Sequence, residues 1–168
     1  MSKYETAPYK VIQKEGRYEI RQYDAYYTAG VLEQNLESSS GFRQIFDYIS
    51  GNNKDEQKIS MTTPVFNELA KDKVSTEFVM PKKYTEDNPP EPSNPRITIR
   101  KTEKKLVASV TFSGTTNPEK IREYENLLLK WIGKISLNPS GNFRLARYNP
   151  PFTPPFLRRN EILVDVFR

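Results

Sequence analysis

Neither cysteine nor histidine occurs among the 168 residues. The first absence removes disulfides, thiolate metal sites and cysteine nucleophiles. The second removes whatever depends on imidazole: a Ser-His-Asp or Cys-His relay, a His-containing zinc site, a histidine switch near neutral pH. Long apolar runs are missing too, and the start, MSKYETAPYK, lacks the basic-apolar-small order of a secretory signal. A cytoplasmic protein with no membrane partner is the expectation. Charge of one sign is nowhere concentrated. The net charge of +5 and pI near 9.3 would suit a polyanion. Yet Lys71/Lys73, Lys82/Lys83, Lys104/Lys105 and Arg158/Arg159 are interleaved with acids, so a solvated surface is expected and no nucleic-acid partner.

What is there reads as one α+β domain over residues 1–168, with 36% hydrophobic and 28% charged residues. YEIRQYDAYYTAGVLE, residues 18–33, contains two β-rich runs around a short polar break: two strands, or one bent strand. Seventy-nine residues on, IRQYDAYYTAGV is echoed without a gap by IRKTEKKLVASV, with Ile20-Arg21 over Ile99-Arg100, Ala29 over Ala108 and Val31 over Val110. A helix signal follows each run. Phe42, Ile45, Phe46 and Ile49 keep one helical face, with serines before them as caps and Gly51 as terminator. In the second, Asn117 is the N-cap, Pro118 the first helical residue, and Ile121, Tyr124, Leu128, Trp131, Ile132 and Ile135 form the stripe. Strands are expected after both helices: KISMTTPVFNEL and STEFVMP, then FRLARYN and NEILVDVFR. The expected plan is a pseudo-twofold, duplicated β-α-β-β arrangement, with repeats over 18–81 and 96–168 and a proline-rich connector over 82–95. Two helices would cover one face of an antiparallel sheet or distorted barrel, leaving the opposite or end surfaces for a ligand.

YEIRQY (18–23), YISGNNKDEQKISMTTPV (48–65), DNPPEPSNP (87–95) and YNPPFTPPFLRRNEI (148–162) together resemble, in the right order, the SOUL/haem-binding protein family. The resemblance runs over nearly the whole chain and leaves out residues 1–9. It implies a fold similar to bacterial gyrase-inhibitor-like effector-binding domains, and as ligand a non-covalent haem or other tetrapyrrole. It also places Gln22 where some members carry a proposed axial histidine. With no histidine or cysteine available, iron would be held by Tyr, Met, Lys or water, or the porphyrin by its faces and propionates alone.

A haem needs a broad apolar wall, with cations at its propionate edge. Phe42, Ile45 and Phe46 are candidates for the wall, although the same stripe would serve to pack the helix on its sheet. Met61 could approach a ring face or fill core. The prolines around Phe152 and Phe156 would hold those rings out as a pre-ordered rim beside Tyr148, or merely stiffen a connector. Arg158 and Arg159 suit the propionates, and strand alternation would make one of them structural. Glu161 would face a pocket or pair with an arginine. The expected function is a non-enzymatic tetrapyrrole carrier or buffer. An effector-binding or hydrolytic domain using Glu161 and Tyr148, and a protein-interaction module using the aromatic loop, are the alternatives.

Overall fold

The computed structural model describes residues 4–36, 38, 40–150 and 152–168. In chain order its strands and helices are β1 (Glu5–Thr6), β2 (Tyr9–Glu15), β3 (Tyr18–Tyr23), β4 (Tyr26–Glu33), α1 (Ser40–Ile49), β5 (Thr62–Thr63), β6 (Val65–Leu69) and β7 (Val74–Val79). After the proline connector come β8 (Thr98–Thr102), β9 (Lys105–Phe112), α2 (Pro118–Lys134), β10 (Asn138–Arg147) and β11 (Asn160–Phe167). The run over 18–33 is therefore two strands. Nine strands form one antiparallel sheet in the order β2-β3-β9-β11-β10-β6-β7-β4-β8, and β1 pairs with β5 in parallel beside it. From β3 to β8, exchanging β3 with β8, β9 with β4, β11 with β7 and β10 with β6 reverses the order and keeps every pair of neighbours. Register follows the same exchange: Arg21 lies opposite Val107, and Arg100, 79 residues on, lies opposite Thr28.

Both helices lie on one face of the sheet. Side chains alternate along a strand, so Ile162, Val164 and Val166 of β11 meet α2 while Glu161 and Leu163 point the other way. Helix α2 follows its local signals. The Asn117 side chain accepts from Lys120 N at 2.8 Å, Pro118 opens the helix, and Ile121, Leu128, Trp131 and Ile132 are buried. Each large apolar side chain so buried contributes on the order of 2 kcal/mol. Tyr124 stacks on Phe112, and Ile135 is the C-cap. Trp131 stacks on Tyr18 at 5.1 Å, and its indole N–H donates to Glu15 at 2.6 Å, tying α2 to the β2–β3 hairpin.

Helix α1 is rotated from the expected stripe. Its buried residues are Gly41, Ile45, Tyr48 and Ile49, while Phe42 and Phe46 stack on each other on the outer surface. The reason lies outside the helix. Tyr48 is drawn inward by donating its hydroxyl to Pro90 O in the connector, and the Glu33 carboxylate of β4 accepts from Gly41 N. Ser38 accepts from Ser40 N at the helix start, whereas Ser39 lies outside the described residues.

The sheet face turned away from the helices was expected to be free for a ligand. Instead Tyr23, Tyr26, Phe66, Val79, Val107 and Leu163 pack there as a buried cluster, joined by Ala7 of the N-terminal segment, which β1 anchors along β5.

Candidate functional site

The space for a ligand lies between the helices. A cleft of about 380 Å³ opens on the helix-bearing face, bounded by the start of α1 and the segment joining β10 to β11. Leu36, Phe42 and Val65 give it an apolar lining; Arg147, the cross-strand partner of Val65, and Arg158 add two cations. Phe42 and Val65 also border a narrow apolar groove beneath α1, lined by Ile45, Phe46 and Met61. That groove is a packed seam with room for about one water. Ile45 accordingly serves as core, and half-buried Met61 packs beneath the helix.

Arg147 is aimed by a chain of hydrogen bonds along the cleft floor. It donates to Asn67 Oδ1 at 2.6 Å, Asn67 donates to Thr76 Oγ1 at 3.0 Å, Thr76 donates to Glu33, and Glu33 accepts from Gly41 N at 2.8 Å. Every member is paired, which a buried polar network requires. Burial lowers the guanidinium pKa of Arg147; Glu33 opposes that shift and Arg158 adds to it. The cleft thus carries two cations in partly desolvated surroundings, where an anion is attracted more strongly than in bulk water. Arg158 is half-buried and donates from Nε to Thr153 O, inside a segment braced by Leu157 N to Pro154 O and Gly114 N to Pro155 O. Phe152 and Phe156 stand out from that braced segment, 87% and 75% exposed. Pro151, one of its four prolines, lies outside the described residues.

Tyr148, Arg159 and Glu161 do not join this cleft. They sit with the opposite face's cluster, where Glu161, 0% exposed, is closed off by donors. Its Oε1 accepts from Arg21 at 2.8 Å and from the Tyr148 hydroxyl at 2.7 Å. Its Oε2 accepts from Arg21 at 2.6 Å, Arg159 at 2.9 Å and Thr111 at 3.2 Å. Tyr9 covers Arg21 with its ring at 4.2 Å, and Arg159 lies 4.0 Å over the Tyr148 ring. Burial alone would raise the Glu161 carboxyl; the hydrogen bond and charge of Arg21, then Arg159 and Tyr148, outweigh it and hold the group below its ordinary value. An ionised carboxylate with its lone pairs taken is a poor general acid and a poor ligand contact. Arg158 and Arg159 precede β11, so strand alternation does not separate them; they diverge nonetheless, Arg159 pairing with Glu161 and Arg158 lining the cleft.

Gln22 lies on the helix-bearing face of β3, three strands from β10, and donates to Lys105 O at 3.1 Å. It borders neither the cleft nor the groove. Among the described residues no group of three or more carboxylates could hold a metal ion, and no helix is long and apolar enough to cross a membrane. Sequence reasoning missed Arg147 and Asn67, whose pairing is non-local. It also passed over Arg21 as a partner of Glu161, although that arginine stands inside YEIRQY.

Comparison with known proteins bears on family and fold. The chain is 27% identical to "Heme-binding protein 2" of Mus musculus over 161 residues, covering 87% of this chain and 77% of that protein. In structure it is similar to the EcmrR C-terminal domain (TM-score 0.65, 11% identity, 95% of this chain and 98% of that one). It is also similar to a hydrolase from Listeria innocua (TM-score 0.62, 9% identity, 93% and 94%). At such identities these two likenesses concern the fold alone, that of effector-binding-like domains. The SOUL heme-binding protein model matches residues 4–165, so the match begins inside the N-terminal stretch that the motifs left out; the chain belongs to the SOUL heme-binding protein family.

Proposed function

We propose that the protein binds haem or another tetrapyrrole non-covalently in the helix-side cleft, and that it serves as a carrier or buffer in the cytoplasm rather than as an enzyme. One observation carries the reading: apolar Leu36, Phe42 and Val65 and two arginines, Arg147 and Arg158, line one cleft of ligand size. Family membership supports it. The apolar lining suits the face of a macrocycle, and guanidinium forks suit its carboxylates. Haem would bring a redox-active iron, to which the chain offers neither imidazole nor thiolate. Phe152 and Phe156 would rim the opening, pre-ordered by their prolines. Glu161, saturated by its own donors, argues against the hydrolytic alternative.

Binding driven by apolar area and carboxylate contacts depends little on iron. Visible titrations of the protein with hemin and with metal-free protoporphyrin are expected to saturate at one equivalent, with dissociation constants within tenfold of each other. A hundredfold preference for hemin, about 2.7 kcal/mol, would require a genuine iron ligand and overturn the account. Phe42→Ala and Arg158→Ala should each weaken both titrations; unchanged binding in both variants would remove the ligand from this cleft.

A further inference from the structure

A larger cavity, about 740 Å³, opens at the far end of the sheet over β7, β4 and β8. Its lining includes Thr28, Gly30, Glu77 and Arg100, with Arg96 beside them and Val31 and Leu32 adding apolar surface. Here Arg100 of β8 reaches over β4 to Glu77 of β7, Nη2 to Oε1, 3.0 Å. Arg21 of β3 likewise reaches over β9 to Glu161 of β11. The two arginines correspond in register, and the strands they span carry small residues 79 apart, Gly30 and Ser109.

The two pairs differ in what surrounds them. Around Glu161, strand β2 lies outside β3 and Tyr9 covers Arg21, while Arg159 adds a second guanidinium to Oε2. Around Glu77, β8 is the edge of the sheet and Arg100 is 61% exposed. The Glu77 side chain is nonetheless only 9% exposed, and among the described residues its Oε2 receives one hydroxyl, Ser75 Oγ, at 3.4 Å. A nearly buried carboxylate oxygen with one long hydrogen bond has accepting capacity left over. Glu33 and Glu77 balance Arg96 and Arg100 along the wall, so a cation is not repelled.

We propose that this cavity is a second ligand site, for a small organic molecule bearing a guanidinium group, whose N–H fork gives Glu77 Oε2 what Arg159 gives Glu161 Oε2. The site borders the tetrapyrrole cleft at Glu33 and Ser38, whereas Glu77, Gly30 and Arg100 line the cavity and not that cleft. Agmatine and L-arginine are the probes and glutarate the anionic control, followed by calorimetry and by amide chemical-shift mapping of the unsubstituted protein. Saturable one-to-one binding of the guanidinium probes is expected, with shifts centred on Gly30, Glu77 and Arg100 and none with glutarate. Glu77→Gln, nearly isosteric, should weaken binding at least tenfold while leaving the hemin titration and circular dichroism unchanged. Shifts centred elsewhere, preference for glutarate, an unchanged Glu77→Gln affinity or no saturable binding would each overturn the proposal. Since the hemin titration reads the other cleft, either site can fail without the other.

Discussion

Glu161 shows how one carboxylate stays charged inside a sheet: each oxygen is met by a guanidinium and a hydroxyl before any solvent reaches it. Because its carboxyl is held below the unfolded value, its contribution to stability is fully present above the ordinary carboxylate range near pH 4.5 and is lost as pH falls through the folded pKa. Urea unfolding of the parent should therefore show stability declining in acid below about pH 4.5, with a shallower decline in Glu161→Gln. At neutral pH the variant should lose roughly 3 kcal/mol, since buried Arg21 then keeps Glu19, 2.8 Å from its Nε, but loses the carboxylate that met its other two nitrogens. Gln22 gives the opposite expectation. A histidine placed there remains on β3, away from the cleft, so hemin spectra of Gln22→His and parent should superimpose from acid to neutral pH; a shifted, pH-dependent Soret band would bring β3 into the site.

Helix α2 and the proline segment behave as their own sequences dictate, because their signals are local. Asn117→Ala removes the acceptor for Lys120 N and should cost about 1 kcal/mol in thermal or urea unfolding. Phe152 and Phe156 project into solvent, so Phe152→Ala with Phe156→Ala should leave the melting temperature of the free protein unchanged while weakening tetrapyrrole binding. A drop of several degrees with unchanged affinity would return the segment to a purely structural role. Helix α1 was harder to read. A face containing Ile45 and Ile49 can include either Phe42 and Phe46 or Gly41 and Tyr48, and the choice is made by Glu33 and Pro90, which no spacing within the helix reveals. Strand β2 was missed although Glu15-Gly16-Arg17 is a turn between two alternating runs, with Gly16 at φ +61°.

Across the sheet, the α+β fold was legible because helix and strand periods and capping point to the same arrangement. The site was only half legible. The pattern could nominate Phe42, Arg158 and Glu161, but only pairing across strands separates the arginine facing the cleft from the carboxylate facing away. The two faces should also be energetically separate: combining Glu161→Gln with Phe42→Ala should give additive losses in unfolding free energy, within about 0.5 kcal/mol. Trp131, the sole tryptophan, carries this separation into optics. Its indole is fixed between Tyr18 and Glu15 within the α2 core, so its emission reports whether the hairpin is seated. A porphyrin absorbs where tryptophan emits, so a tetrapyrrole held between the helices would dim Trp131 by energy transfer without touching it. A colourless guanidine at the far edge of the sheet would leave the light unchanged, and one unlabelled sample could then tell the two occupants apart.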